Sequence, residues 1–284
     1  MTAEQPAFLT TKEVAELLRV KERKVYDLAG EGEIPHRRIT GKLLFPRTEL
    51  LAWIEGRSQA RPAVLAGSHD PLLDWAVRES ECGLALLTGG SLDGVERFAA
   101  HEAALAGMHI PEENGWNVAT VSALRLSECV LIHWAMRTRG LILSPDLANQ
   151  VSDLGDLRGR KLALRQAAAG TARLWDHLLQ QAGLKEADFT IAGVARSESD
   201  AAMMVAEGTA EAALGLEAMA RQFGCAFLPL TQESFDLLID RRSYFTDPVQ
   251  RLLTYARSTS LMEKAAAMGG YDLSDLGSVR WVSA

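Results

Sequence analysis

The stretch Ala63-Val-Leu-Ala-Gly-Ser-His-Asp70 decides the fold. Four mostly apolar residues suit a buried strand, and Gly-Ser-His-Asp stops it with the small polar residues that open a helix. That helix is predicted over 72–78. The same event recurs downstream. Leu84-Ala-Leu-Leu87 runs into Thr88-Gly-Gly-Ser91 and a helix over 92–101, and Ala104-Leu-Ala106 leads to Gly107-Met-His109. In the second half Lys161-Leu-Ala-Leu164 enters the loop 165–171 before a helix over 172–182 closed by Gly183. Ile191-Ala-Gly-Val194 then precedes Arg196-Ser-Glu-Ser-Asp200 and a helix over 201–207. Short apolar strands alternating with amphipathic helices define an α/β domain. In such sheets the loops at strand ends gather free N–H groups and helix dipoles, which suits an anion or a carboxylate.

Upstream, residues 8–56 read as a separate compact unit. Thr10-Thr-Lys-Glu13 is a capping box, and behind it Val14, Ala15, Leu17 and Leu18 form one helical apolar face. A second short helix is predicted over 21–29, with Val25 and Leu28 inward and Gly30 as its left-handed cap. Ile34-Pro-His-Arg-Arg-Ile39, a Thr40-Gly-Lys42 turn and Leu43-Leu-Phe45 make a small hairpin with a basic tip. A third helix follows over 48–54, with Thr48 as its cap. The order helix, tight turn, helix, basic hairpin, helix is that of a winged helix-turn-helix.

The chain has 284 residues, 48% apolar and 24% charged, which excludes fibrous and mostly disordered classes. Its longest apolar runs fall well short of the roughly 20 residues that cross a bilayer, so no membrane partner is expected. The first residues carry no basic segment followed by an apolar stretch, and a cytoplasmic protein is predicted. Cys82, Cys129 and Cys225 are too scattered for a disulfide framework or a zinc site. The net charge of −7 is uneven: residues 1–60 balance at +1 and the remainder at −8. Between Lys21 and Arg47 lie seven basic and four acidic residues. A basic patch on an acidic body suits double-stranded DNA touched at one place.

Two resemblances organise these observations. Leu9-Thr-Thr-Lys-Glu-Val-Ala-Glu-Leu-Leu-Arg-Val20, Lys24-Val-Tyr26, Gly32-Glu-Ile-Pro35 and Phe45-Pro-Arg-Thr-Glu-Leu-Leu-Ala-Trp53 resemble the excisionase/MerR-type DNA-binding module. Lys21 departs from the Ser that commonly caps the second helix there. The resemblance implies that the second helix enters the major groove and the hairpin lies along the backbone. DNA contacts are expected from Lys21, Arg23, Lys24 and Tyr26 on the helix. On or beside the hairpin they are expected from His36, Arg37, Arg38, Lys42 and Arg47, with Arg37 and Arg38 on opposite sides of a strand.

Further on, Gly90-Ser-Leu-Asp-Gly94, Ala106-Gly-Met-His109, Arg137-Thr-Arg-Gly-Leu141, Asp153-Leu-Gly-Asp-Leu157 and Val205-Ala-Glu-Gly208 occur in order with Phe227-Leu-Pro-Leu-Thr-Gln-Glu233 and Gly269-Gly-Tyr271. Together they resemble the periplasmic-binding-protein-like domain of the molybdate/tungstate-binding type. The implied fold class is α/β: an N-terminal winged helix-turn-helix (1–57), a linker (58–62) and a two-lobed type II binding domain (63–284). Lobe one would take 63–125 and 226–284, and lobe two 126–225. Carried over by position, Ser68, His69, Ser91, His109, Asn117, Arg165, Thr171 and Ser199 should line the cleft between lobes. Ala168-Ala-Gly-Thr-Ala172 stands where the family often has Gly-Ser-Gly-Thr-Arg, losing a hydroxyl and a cation.

Catalytic constellations are not found. His101-Glu-Ala-Ala-Leu105 lacks the second histidine of a zinc-protease helix, and Gly89-Gly-Ser-Leu-Asp93 lacks the last glycine of a nucleophile elbow. No phosphate loop or dinucleotide fingerprint occurs, so no metal and no cofactor are expected. Glu198, Asp200 and Glu233 are further cleft candidates. The reading is a one-component, ligand-responsive regulator, not an enzyme, binding DNA as a homodimer or higher homo-oligomer and sensing a small anion. A molybdate- or tungstate-like oxyanion is the favoured ligand and a small carboxylate the other. An architectural DNA-binding factor, marked by a cleft filled with side chains, and an enzyme built on a binding-protein fold are the alternatives.

Overall fold

The computed structural model describes residues 6–54, 61–167 and 169–283. Most of the predicted linker, and Ala168 in the departing loop, lie outside the described residues. The chain divides into two compact units, at Met1–Ala60 and Arg61–Ala284.

The first unit runs β1 (Phe8–Thr10), α1 (Thr11–Leu18), α2 (Glu22–Gly30), β2 (Arg37–Ile39), β3 (Lys42–Pro46) and α3 (Arg47–Ile54). Its three strands are ordered β1-β3-β2, all antiparallel. Thr10 and Glu13 form the capping box, each side chain accepting the other's backbone N–H. Val14, Ala15, Val25, Ile34, Phe45 and Leu50 close a small core. Two local expectations change. Gly30 is the last residue of α2, and the left-handed conformation falls to Gly32. Helix α3 begins at Arg47, so Thr48 lies within its first turn instead of capping it.

The second unit opens with β4 (Val64–Gly67), α4 (Pro71–Glu79), β5 (Ala85–Thr88), α5 (Ser91–Ala99) and β6 (Leu105–Met108). A two-residue ribbon, β7 (Pro111–Glu112) and β8 (Gly115–Trp116), leads to α6 (Val118–Ala123) and the long β9 (Cys129–Leu143). Next come β10 (Lys161–Arg165), α7 (Gly170–Ala182), β11 (Thr190–Ala195), α8 (Glu198–Ala206), β12 (Ala212–Leu216) and α9 (Glu217–Gln222). The chain ends with the long β13 (Ala226–Asp240), α10 (Asp247–Tyr255), α11 (Thr259–Met268), β14 (Tyr271–Asp272) and β15 (Val279–Val282).

The strand path is β11-β10-β12-β9-β13-β6-β4-β5, with β14 and β15 added on β9. Parallel strands β4, β5 and β6 build one lobe; β10, β11 and β12 build the other. The antiparallel pair β9 and β13, 15 residues each, runs through both lobes. At about 3.3 Å per residue each spans roughly 50 Å. The ladder slips at Pro229/Thr231 and Phe235/Asp236. A side chain at Gly140 would collide with the Leu228 carbonyl opposite, so the two strands can only pass so closely with glycine there. Leu65, Leu72, Trp134, Phe235, Leu252 and Leu261 anchor the first lobe's core; Leu143, Leu162, Leu174, Trp175 and Phe189 anchor the second's. No helix among the described residues is long and apolar enough to cross a membrane.

Candidate functional site

Helix α2 buries Val25 and Ala29 and turns Lys21, Arg23, Lys24 and Tyr26 outward, with Tyr26 55% exposed. Lys21 holds the N-cap position, where its ammonium, having no acceptor, makes no cap bond and stands exposed. In the hairpin Arg37, Arg38 and Lys42 are all exposed; β2 is an edge strand of the three-stranded sheet and all three of its residues are open to solvent. Arg37 is tied to Glu49 by two hydrogen bonds of 3.0 and 3.2 Å. His36 Nδ1 donates to the Ile34 carbonyl at 3.0 Å and its ring tilts on Phe45, and Arg47 is half-buried at the start of α3. Six of the nine candidates therefore stand outward as a cationic surface with one aromatic, and His36, Arg37 and Arg47 are engaged in the unit's own structure.

In the second unit the predicted loops meet across the two lobes. Ser68, at the end of β4, shares a 2.7 Å hydrogen bond with Ser91 at the start of α5, and Ser91 Oγ accepts from the His109 backbone at 3.1 Å. From the other lobe, the first residue of α7 is Gly170, where a Cβ would lie 2.5 Å from the His109 carbonyl. Gln166 reaches across to donate to the Gly89 carbonyl. The lobes are closed on each other at this point, and only a glycine permits the approach.

A chain of buried ions continues the contact through the shared strands. Arg137 and Arg139 are two residues apart on β9, hence on one face, and both are fully buried. Arg137 donates to Asp70 at 2.9 Å and to Glu233 on β13. Arg139 holds Glu198, at the start of α8, by paired bonds of 2.9 and 3.0 Å, and its Nε lies 3.0 Å from Glu233. Arg165 and Thr171 also donate to Glu198, at 2.6 and 3.1 Å. Asp70 caps α4 and accepts from Tyr271 and Trp134 at 2.8 and 3.2 Å.

Three guanidinium groups thus face three carboxylates, and the chain closes neutral. Burial alone would raise the Glu198 and Glu233 carboxyls. The adjacent arginines outweigh it and hold both well below the ordinary range. His109 goes the other way: burial keeps it below the usual imidazole value despite Glu233, so it is neutral at pH 7 and donates from Nδ1 to Glu233 at 3.0 Å. Burial and Asp70 push the Tyr271 phenol well above its usual value, so it remains a donor.

Beside this closure lies a cavity of about 540 Å³ bounded by both lobes. His69, Asp74, Trp75 and Arg78 come from the first lobe, Ser199 and Arg221 from the second, and Lys264 from α11. His69 Nε2 pairs with Asp74 at 3.1 Å, while its buried Nδ1 has no partner among the described residues. Burial opposes a charge on His69, but the Asp74 bond and charge prevail and raise its pKa. Lys264 sits 5.4 Å above the Trp75 ring, and Arg221 is paired with Glu217 at 2.6 Å.

Of the eight expected cleft residues, His69 and Ser199 border this cavity. Ser68, Ser91, His109, Arg165 and Thr171 belong to the closed contact and the ion chain. Asn117 is placed apart: it accepts from the Ile110 backbone at 2.6 Å and donates to Asp236 at 2.7 Å, orienting the carboxylate that holds His133. Glu198 and Glu233 sit inside the ion chain, whereas Asp200 completes the cap of α8 with Ser197. Asp70, Arg137, Arg139 and the cationic rim were not among the candidates. The signal for the two arginines was present, since charges at alternate positions in the apolar run 129–143 require buried partners. No cluster of three potential metal ligands occurs among the described residues.

A two-lobed α/β unit hinged on paired crossover strands, preceded by a helix-turn-helix, is the architecture of an effector-binding protein joined to a DNA-reading module. The chain belongs to the PBP superfamily domain family, whose model matches residues 74–257, and a helix-turn-helix domain model matches residues 8–58. It is similar to the uncharacterized protein YvgK of Bacillus subtilis (strain 168), 22% identical over 263 residues, covering 82% of this chain and 85% of that protein. Among solved structures it resembles the effector-binding domain of QuiR in complex with shikimate, with a TM-score of 0.50 and 12% identity, over 68% of this chain and 93% of that one. It also matches CbnR, a LysR family transcriptional regulator, with a TM-score of 0.46 and 16% identity, over 87% and 94% of the two chains.

Proposed function

We propose that the protein is a ligand-responsive, DNA-binding transcriptional regulator that senses a small organic anion in the cavity between its lobes. The observation that carries this reading is the cavity itself: both lobes supply its walls, and Arg78, Lys264, His69 and the Glu217-paired Arg221 outnumber the one acidic side chain in the lining, Asp74. Its volume falls within the usual range for small-molecule sites, about 300–1,000 Å³. The side chains that fill the deeper cleft leave this space open, which separates the reading from that of an architectural factor.

Of the two ligand classes, the carboxylate fits the chemistry better than the molybdate- or tungstate-like oxyanion. A buried oxyanion draws on many unpaired donors. Here Arg137, Arg139 and Arg165 already hold the chain's own carboxylates, and a dianion beside Glu198 and Glu233 would meet like charge. A carboxylate at Arg78 and Lys264, with its carbon body on Trp75, meets one carboxylate, Asp74, which is already paired with His69. Ligand bound to both lobes shifts the population toward the closed arrangement only by its differential affinity for that arrangement. Exposed Lys21, Arg23, Lys24, Tyr26, Arg38 and Lys42 would meet the DNA, and a homodimer would read two half-sites.

A thermal-shift panel of molybdate, tungstate, sulfate, shikimate and simple mono- and dicarboxylates tests the assignment. Stabilisation by a carboxylate, following RT ln(1 + [L]/Kd) and abolished by Arg78→Ala with Lys264→Ala, is the expected result. Stabilisation by molybdate alone, insensitive to those substitutions, would return the site to the deep cleft.

A further inference from the structure

The cavity between the lobes has a donor pole on each side. From the first lobe come Arg78 of α4 and Lys264 of α11, the helix whose Leu261 and Ala265 lie in that lobe's core. Neither makes an ion pair among the described residues, and Lys264 rests on the Trp75 ring face. From the second lobe come Arg221 of α9 and Ser199 in the first turn of α8. Arg221 gives its Nε and Nη2 to the same oxygen of Glu217, at 2.9 and 2.6 Å. Its Nη1, on a side chain that is 57% exposed, is open to a further acceptor. The half-buried Ser199 hydroxyl donates to the Met219 sulfur at 3.5 Å, and a thioether is a weak acceptor. The seam where the lobes meet is apolar: Met268 packs on the cores of both, with Trp75 from one lobe and Ala218 from the other.

The charges narrow the ligand. With His69 protonated, its pair with Asp74 is neutral, as is Arg221 with Glu217, and Arg78 and Lys264 leave an excess of two positive charges. A monocarboxylate at Arg78 and Lys264 leaves one of those charges unmatched and the donors of the second lobe unused. A compact dianion there matches the charge but still leaves Arg221 and Ser199 without it, and only contacts with both lobes favour their closed arrangement. We propose, resting on the reading of this cavity as an anion site, that its ligand is a dicarboxylate with an apolar chain between the two carboxylates. One carboxylate meets Arg78 and Lys264, the other meets Arg221 and Ser199, and the chain between them lies on Trp75 and Met268. Arg221 and Ser199 are then the residues that select two carboxylates over one. Because each carboxylate grips a different lobe, one chain length fits the gap best.

The test is calorimetric titration of the full chain at pH 7 and fixed salt. The probes are succinate, glutarate, adipate and pimelate and the monomethyl ester of each, taken to about 10 mM. The ester keeps the chain and one carboxylate and removes the other charge. One diacid should bind at least about tenfold tighter than its own ester, the worth of one charged hydrogen-bonded contact. Arg221→Gln with Glu217→Gln removes the second lobe's ion pair without changing the net charge, and an exposed pair of this kind adds little to stability. In that variant the diacid should fall to within about threefold of its ester, while the ester keeps its wild-type affinity. Equal affinity of diacid and ester at every length, lost in Arg78→Ala with Lys264→Ala, would overturn the dicarboxylate and leave the anion reading standing. A diacid preference that survives Arg221→Gln with Glu217→Gln would overturn it as well. Binding of none of the probes, or binding indifferent to Arg78→Ala with Lys264→Ala, would overturn both.

Discussion

Replacing Glu198 by Gln removes one charge from the centre of the ion chain while keeping the side chain's shape. Glu198 receives two bonds from Arg139, one from Arg165 and one from Thr171, and it is 1% exposed. An amide can accept only part of that set, and its NH₂ faces a guanidinium. Two buried cations then share too little negative charge. Breaking a buried pair from one side destabilises by about 3–5 kcal/mol. For a unit the size of Arg61–Ala284, at about 2–4 °C per kcal/mol, the midpoint of thermal unfolding should fall by about 10 °C at pH 7. The effect must also depend on pH in a defined sense. Burial opposes ionisation of Glu198, but the arginines hold its folded pKa below the unfolded value. Its stabilisation is therefore complete above the unfolded glutamate value, about 4.3, and is lost as pH falls toward the folded one. The gap between wild type and Glu198→Gln should accordingly narrow on acidification. Scanning calorimetry of both proteins between pH 7 and pH 3.5 measures this directly. A variant that melts within about 2 °C of wild type at pH 7, or a gap that widens toward acid, would refute the account of the ion chain.

Three further outcomes follow from the geometry. Lys24→Ala should weaken binding to a duplex selected from a random pool and lower the salt slope by about one unit, whereas Arg37→Ala, already tied to Glu49, should change the slope less; anisotropy titrations at several salt concentrations separate the two. His69 carries a raised pKa, so the cavity loses a positive charge as pH rises through that value. Anion affinity should fall over that interval in wild type and stay flat in His69→Asn, read by calorimetric titration. Gly170→Val should force the closed contact with His109 apart, lowering stability by about 1–3 kcal/mol and increasing the radius of gyration in X-ray scattering.

Local patterns carried the fold into the sequence, and long-range pairings did not. The Thr10/Glu13 cap lies within one turn of helix, and each strand-loop-helix step announces itself in about a dozen residues. Thr48 misled because a good cap residue two positions late is indistinguishable from one in place. The ion chain was hidden for a different reason. Asp70 and Arg137 are 67 residues apart, Arg137 and Glu233 are 96, and Arg139 and Glu198 are 59, so only the crossover of β9 and β13 reveals which charge meets which. Asn117 illustrates the converse, a polar residue after a strand whose bonds serve Ile110 and Asp236 within the fold. The cationic rim was beyond sequence reasoning because it draws on α4, α9 and α11, three helices that become neighbours only when the C-terminal segment folds back onto the first lobe.

The most direct test of the whole account is the DNA affinity of the full chain with and without the anion that stabilises it most. Measured by anisotropy on the selected duplex at fixed salt, saturation with that anion should change the affinity by about 5–150-fold. The change should disappear in Arg78→Ala with Lys264→Ala. Saturating occupancy that leaves DNA affinity untouched would contradict the claim that the lobes sense a ligand on behalf of the helix-turn-helix.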